Sequence, residues 1–153
     1  MLRLVLSILL CQSAGVVGAF FTRRSISEWY AHLNKPAFNP PSWVFAPAWV
    51  TLYTLMGIAA FLIWRKGLKT AGVRSALAVF LFQLILNSLW SVVFFGGRSI
   101  LGGLVVIVCL WLAIVWTIKS FHAISKPAAA LLIPYIAWVS FALVLNVALL
   151  LLN

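Results

Sequence analysis

Residues Trp29 to Tyr53 read WYAHLNKPAFNPPSWVFAPAWVTLY, and the way this stretch divides decides the fold. Its first half holds Pro36, Pro40 and Pro41. Each fixes φ and lacks an N–H donor, so the segment is a stiff, non-helical connection that can open a helix but not lie inside one. Asn39, just before Pro40, is placed to act as an N-cap. The second half turns into an apolar helix in which Pro47, a turn and a half in, kinks the first turns rather than ending them. The aromatic rings in the stretch have rigid faces and few rotamers, which suits gripping a large flat apolar ligand or anchoring at a membrane interface. Either use points to a membrane, with a lid feeding into a spanning helix.

The rest of the chain agrees. Hydrophobic residues make up 65% and charged residues 8%, with a mean hydropathy of +1.17, against about 25% charged in soluble domains. A bilayer core takes about 20 apolar residues per helix, so 153 residues accommodate five spans in one all-α domain. The expected spans are about 4–22, 41–64, 75–95, 100–118 and 127–152, with a short helix and the Pro-rich lid between the first two. The start resembles a signal peptide, but its apolar run outlasts the usual h-region of about 7–15 residues and is expected to stay as the first span. After it, Ser25-Ile26-Ser27-Glu28 fits a capping box opening a short helix that carries Trp29, Tyr30 and Leu33. Pro134 falls inside the fifth span and removes its bond to the Ala130 carbonyl, so a kink or another partner is expected there.

The net charge of +10 comes from 11 Lys and Arg against one acid, Glu28. All of these charges sit between or beside apolar segments, which favours membrane anchoring and argues against a nucleic-acid partner. The side with the N-terminus and the second and fourth loops has seven cations (Arg3, Arg65, Lys66, Lys69, Arg74, Lys119, Lys126) and the other has four (Arg23, Arg24, Lys35, Arg98). The positive-inside rule therefore places the N-terminus in the cytoplasm and the lid outside. Cys11 and Cys109 are isolated in apolar segments and suggest neither a disulfide nor a metal site. There is no Asp or Glu in any expected span, and no P-loop, HExxH, Ser-His-Asp set or carboxylate pair, so conventional acid–base catalysis lacks its parts.

On the third span Gln83, Asn87 and Ser91 recur every four residues as one polar stripe beside Trp90 and Phe94. On the second, Trp49, Tyr53 and Met56 share a face, and on the fifth, Trp138, Phe141, Ala142 and Leu145 share another. Spacing alone leaves each stripe readable as ordinary packing or as a ligand wall.

The long pattern WYxxLNKPxFNPPSWVFxPAWxxLYxLMG, continued in NSLWSVVFFG from Asn87 to Gly96 and LLIPYIAWVSFALVLN from Leu131 to Asn146, resembles the tryptophan-rich sensory protein family, also called translocator proteins or peripheral-type benzodiazepine receptors. Phe38 stands where the family usually has Trp, keeping an aromatic face and losing an indole N–H. The resemblance implies a bundle of five transmembrane helices acting as a receptor or sensor that binds tetrapyrroles such as protoporphyrin IX or haem in an aromatic cavity. It implies the binding residues Trp29, Tyr30, Phe38, Pro41, Trp49, Tyr53, Asn87, Trp90, Trp138, Phe141 and Ala142, no required cofactor or metal, and a homodimer. Porphyrin or sterol transport, or light-dependent porphyrin breakdown, are the alternatives it carries. Ala14 and Gly18, at small-xxx-small spacing, offer a helix interface for a second copy or another partner. His32 and His122 read as surface imidazoles, since neither has a CxxCH context.

Overall fold

The computed structural model describes residues 1–153. It is all helical in its regular elements: α1 (Leu2–Glu28), α2 (Phe45–Trp64), α3 (Val73–Ser91), α4 (Ile100–His122), α5 (Lys126–Ala130) and α6 (Ile133–Leu152). Five segments are long and apolar enough to cross a membrane, the fifth being α5 and α6 together. Around the bundle α2 packs on α1, α1 on α3, α3 on α4 and α4 on α6, whereas α6 meets α2 only sparsely.

The packing is that of a protein whose solvent is lipid. Leu81, Phe82, Ile85 and Leu89 form an exposed stripe on α3, and Phe20, Leu101, Leu112 and Trp116 are exposed on α1 and α4. Soluble monomers rarely expose contiguous apolar surface of this kind. The polar side chains turn inward instead, Gln83, Asn87 and Asn146 among them, because a bilayer core offers them no partner.

The first helix differs from its expected form. It does not stop at Thr22 but continues to Glu28, so no capping box opens at Ser25. Ser25 lies within the helix, buried, and its hydroxyl donates to the Phe95 carbonyl at 2.7 Å. Glu28 pairs with Arg98 at 2.6 Å in an exposed contact, which is worth at most about 1 kcal/mol but ties the end of α1 to the α3–α4 turn. The expected short helix is one 3-10 turn, Tyr30–His32. Asn39 caps no helix: it accepts the Tyr30 hydroxyl at 2.9 Å, and burial pushes that phenol up from its ordinary value, keeping it a donor.

The two helix prolines behave alike. Pro47 falls in the first turn of α2, where no backbone donor is needed, and a separate 3-10 turn, Ser42–Val44, precedes it. Pro134 sits at the start of α6, and the chain breaks at Leu131–Leu132 into α5 and α6 rather than running as one helix. At the far end of α3 the helix widens into a π turn, Val92–Gly96, closed by Gly97 N–H to Val92 O at 2.8 Å.

Close backbone approach locks α1 to its neighbours. A Cβ at Gly57 would lie 2.6 Å from Ile8 Cα, and one at Gly15 would lie 2.6 Å from the Tyr53 ring. Ala14 and Gly18 are buried in the same way: Ser88 reaches the Ala14 carbonyl, and a Cβ on Gly18 would touch the Ser91 hydroxyl. These small residues seat α1 on α3 within the chain, so they are not open to an outside helix.

Because α2 starts only at Phe45, the C-terminal half of α6 packs on α4, where Asn146 Nδ2 donates to the Ile100 carbonyl at 3.0 Å, but lacks a helix on its α2 side, and the segment after α1 covers it there as a strap. Trp29, Tyr30 and Leu33 pack on a small core of Phe94, Leu145 and Leu149, and Phe38 meets Phe141 ring to ring at 6.4 Å. At its outer end Asn153 accepts from Asn34 N–H and donates to Asn34 O, both at 2.9 Å, while Asn34 Nδ2 donates to the Leu152 carbonyl at 3.2 Å.

Candidate functional site

The residues read from sequence separate into two groups that Phe141 connects. In the first, Trp49 stacks on Tyr53 with ring centroids 5.5 Å apart and meets Trp138 edge-on at 6.4 Å. Helical spacing puts Trp49 and Tyr53 on one face of α2, and the antiparallel α6 brings Trp138 opposite. Phe45, one turn before Trp49, contacts the other side of Trp138 at 6.0 Å. Ala142 lies half-buried against the same core.

Beneath the rings runs a polar relay drawn from three helices. Tyr53 Oη donates to Asn87 Oδ1 at 2.5 Å, Asn87 Nδ2 donates to Tyr135 Oη at 2.9 Å, and Tyr135 Oη donates to Gln83 Oε1 at 2.8 Å. All four side chains are buried, and Gln83 Nε2 has no partner. Such a chain of donors and acceptors fixes the rotation of α2, α3 and α6 relative to one another, because each helix supplies a group another needs.

The second group sits under the strap. Trp90 stacks on Phe94 at 5.1 Å and its indole N–H points to Asn146 Oδ1 at 3.3 Å, while the ring also packs against the larger core that Trp49 borders. Trp29 contacts Phe94 at 5.4 Å and Tyr30 contacts Phe95 at 5.7 Å. The π turn makes this cluster possible: with one extra residue in the turn, Phe94 and Phe95 both reach Trp90. Phe141 packs on this group and lies 5.8 Å from Trp138. Phe38 is half exposed and Pro41 exposed, so both stand at the rim. Ser91, the third member of the polar stripe, faces α1 and joins neither group.

Tyr135, Phe45 and Asn146 escaped the sequence reading of the site. Tyr135 lies three residues before Trp138 and so on the same face, a signal that was present, and Asn146 is a lone amide in an apolar helix, which by itself marks an inward position. The imidazoles of His32 and His122 are exposed, and no group of three metal-ligating side chains forms.

Residues 7–152 match the TspO/MBR family. The chain is 46% identical to the tryptophan-rich protein TspO of Chlorobaculum tepidum over 99% of its own length and 96% of that protein. It is 45% identical to the protein of the same name from Archaeoglobus fulgidus, covering 99% and 97%. To the translocator protein of Bos taurus it is 40% identical, over 90% of this chain and 82% of the relative.

Proposed function

This chain belongs to the TspO/MBR family of multi-pass membrane proteins, and from that premise we propose that it is a receptor for tetrapyrroles, held against the Trp49–Trp138 pair. The observation carrying this reading is that pair: two indoles from different helices, edge to face, with Tyr53 stacked on one and Phe141 beside the other. A porphyrin is flat and apolar across its ring and acidic along one edge. Perpendicular indoles give it one ring to stack on and one to abut. Arg23 and Arg24, exposed near the end of α1, and Lys35 within the strap suit its carboxylates. Protoporphyrin IX titrated into the detergent-solubilised protein is expected to quench tryptophan emission to saturation at a fixed stoichiometry. Quenching that rises without saturating, as it does with a soluble-tryptophan control in empty micelles, would reject the reading.

The same proposal includes a second copy of the chain as partner, docked on a face other than the Ala14–Gly18 surface, and an N-terminus in the cytoplasm. The orientation rests on the bias of seven cations to four across the two ends of the bundle. In a background lacking Cys11 and Cys109, a cysteine at Ser27 is expected to react with an impermeant thiol reagent on intact cells and one at Thr70 to be protected. The opposite labelling pattern would reverse the topology.

A further inference from the structure

We infer that the seam between α2 and α6 is the route by which a ligand dissolved in the bilayer reaches the aromatic site, an inference that rests on the tetrapyrrole reading above. A groove of about 700 Å³ opens there, between Ala48, Thr51 and the start of α2 on one side and Pro134, Ala137, Trp138 and Phe141 on the other. Its size falls within the range of pockets that hold drug-sized ligands, about 300–1,000 Å³.

Three observations single out this seam. First, the seams on the other sides of α2 and α6 are closed by backbone contact or side-chain bonds. α1 and α2 touch at Gly57 and Gly15, and Gln12 bonds both the Val50 carbonyl and the Thr54 hydroxyl at 3.0 Å. On the far side of α6, Trp111 on α4 donates to Ser140 at 2.9 Å. Between α2 and α6, Pro47 and Ala48 face Pro134 and Ala137 across the groove, and α6 meets α2 only sparsely. Second, the strap side is latched by the three bonds between Asn34 and the end of α6. Third, the groove is continuous with the site, because Trp138 and Phe141 line the one and belong to the other.

The chemistry of the groove suits a guest arriving from lipid. No charged residue lines it, and the Thr51 hydroxyl is already committed to the Pro47 carbonyl at 2.9 Å. An apolar macrocycle sliding between the helices therefore meets no charge, and the indole N–H groups of Trp43 and Trp138 are the side-chain donors it passes. Trp138 and Phe141 have only to rotate inward for the guest to pass from groove to site, and side-chain rotation is far faster than helix separation.

The test compares rates with equilibrium. Proteoliposomes are mixed with vesicles carrying protoporphyrin IX, and quenching of protein tryptophan is followed by stopped flow for wild type, Ala48→Phe, Ala137→Phe and Asn153→Ala. Ala137 is exposed and Ala48 half-buried, so the added rings fill the groove without entering the core, and monodisperse elution confirms folding. The two groove variants are expected to bind and release at least fivefold more slowly with an unchanged Kd, while Asn153→Ala keeps the wild-type rates. Wild-type rates in both groove variants, or faster binding in Asn153→Ala, would overturn the route in favour of the strap. A Kd raised in step with the slower binding would also overturn it, making the groove part of the seat. If wild type gives no saturable quenching at equilibrium, the receptor reading itself falls.

Discussion

Trp138→Ala is expected to weaken protoporphyrin IX at least tenfold in the same titration, and Ala142→Phe to abolish saturable binding while the protein stays monodisperse. Trp138 is surrounded by rings: Trp49 at 6.4 Å, Phe45 at 6.0 Å and Phe141 at 5.8 Å. Its removal takes away one aromatic face, worth about 0.5–1.5 kcal/mol beyond area burial, together with the apolar contact of a large side chain. Together these exceed the roughly 1.4 kcal/mol that makes a factor of ten. Trp138→Phe keeps a face and should lose only a few fold. Ala142 is one residue from Phe141 and half-buried on the inner side of α6, so an added ring occupies the space a ligand needs. Trp64→Ala supplies the control, because Trp64 lies at the opposite end of α2 beneath Arg3, 5.4 Å from its ring. Equal affinity in wild type, Trp138→Ala, Ala142→Phe and Trp64→Ala would mean that the quenching reports porphyrin in the micelle, and the indole pair would lose its assigned role.

The second large effect is on stability. Asn87→Leu is expected to lower the apparent Tm in detergent by ~5 °C, and Tyr53→Phe added to it should recover part of the loss. Asn87 accepts from Tyr53 and donates to Tyr135. Leucine strands the Tyr53 hydroxyl among apolar atoms, and an unsatisfied buried group costs about 1–3 kcal/mol, far more than the mean of about 0.6 kcal/mol measured for interhelical hydrogen bonds in membranes. Tyr135 is less affected because it still donates to Gln83. Removing the stranded hydroxyl in the double variant takes away that penalty. The sign of the second step is what matters: a double variant less stable than Asn87→Leu alone would show that packing rather than the unpaired hydroxyl sets the cost. Thermal unfolding followed by circular dichroism decides between them.

The bundle was legible because lipid leaves few choices: long apolar runs separated by cations and by Pro or Gly allow only spanning helices. What escaped was set by contacts distant in sequence. Ser25-Ile26-Ser27-Glu28 satisfies the pattern of a helix start, and nothing local tells it from a helix interior. The deciding partner is the Phe95 carbonyl, 70 residues away. The π turn likewise has no signature in VVFFG, and it is what lets Phe95 as well as Phe94 reach Trp90. Helical periodicity placed Trp49 and Tyr53 on one face of α2 and Asn87 on a stripe of α3, but that these faces belong to one site was implied by the family resemblance and not by spacing. Tyr135 shares a face with Trp138, but its role is set by hydroxyl bonds to Asn87 and Gln83, 48 and 52 residues away on α3, which spacing within α6 does not encode.

The strap described above also sets an order of events in time. Its latch joins Asn34 to Leu152 and Asn153, and its rings rest on Leu145 and Leu149, so its seat is made by residues synthesised long after it, with 119 positions between Asn34 and Asn153. A ribosome adding about 5–20 residues per second leaves the strap exposed for several seconds after it has emerged. During that interval Trp29, Tyr30 and Phe38 have no packing partners on α6, and the amphipathic rings of Trp29 and Tyr30 hold the segment at the headgroup layer. The aromatic composition of the strap thus serves the nascent chain as well as the finished one: it gives the segment a place to wait until α6 arrives.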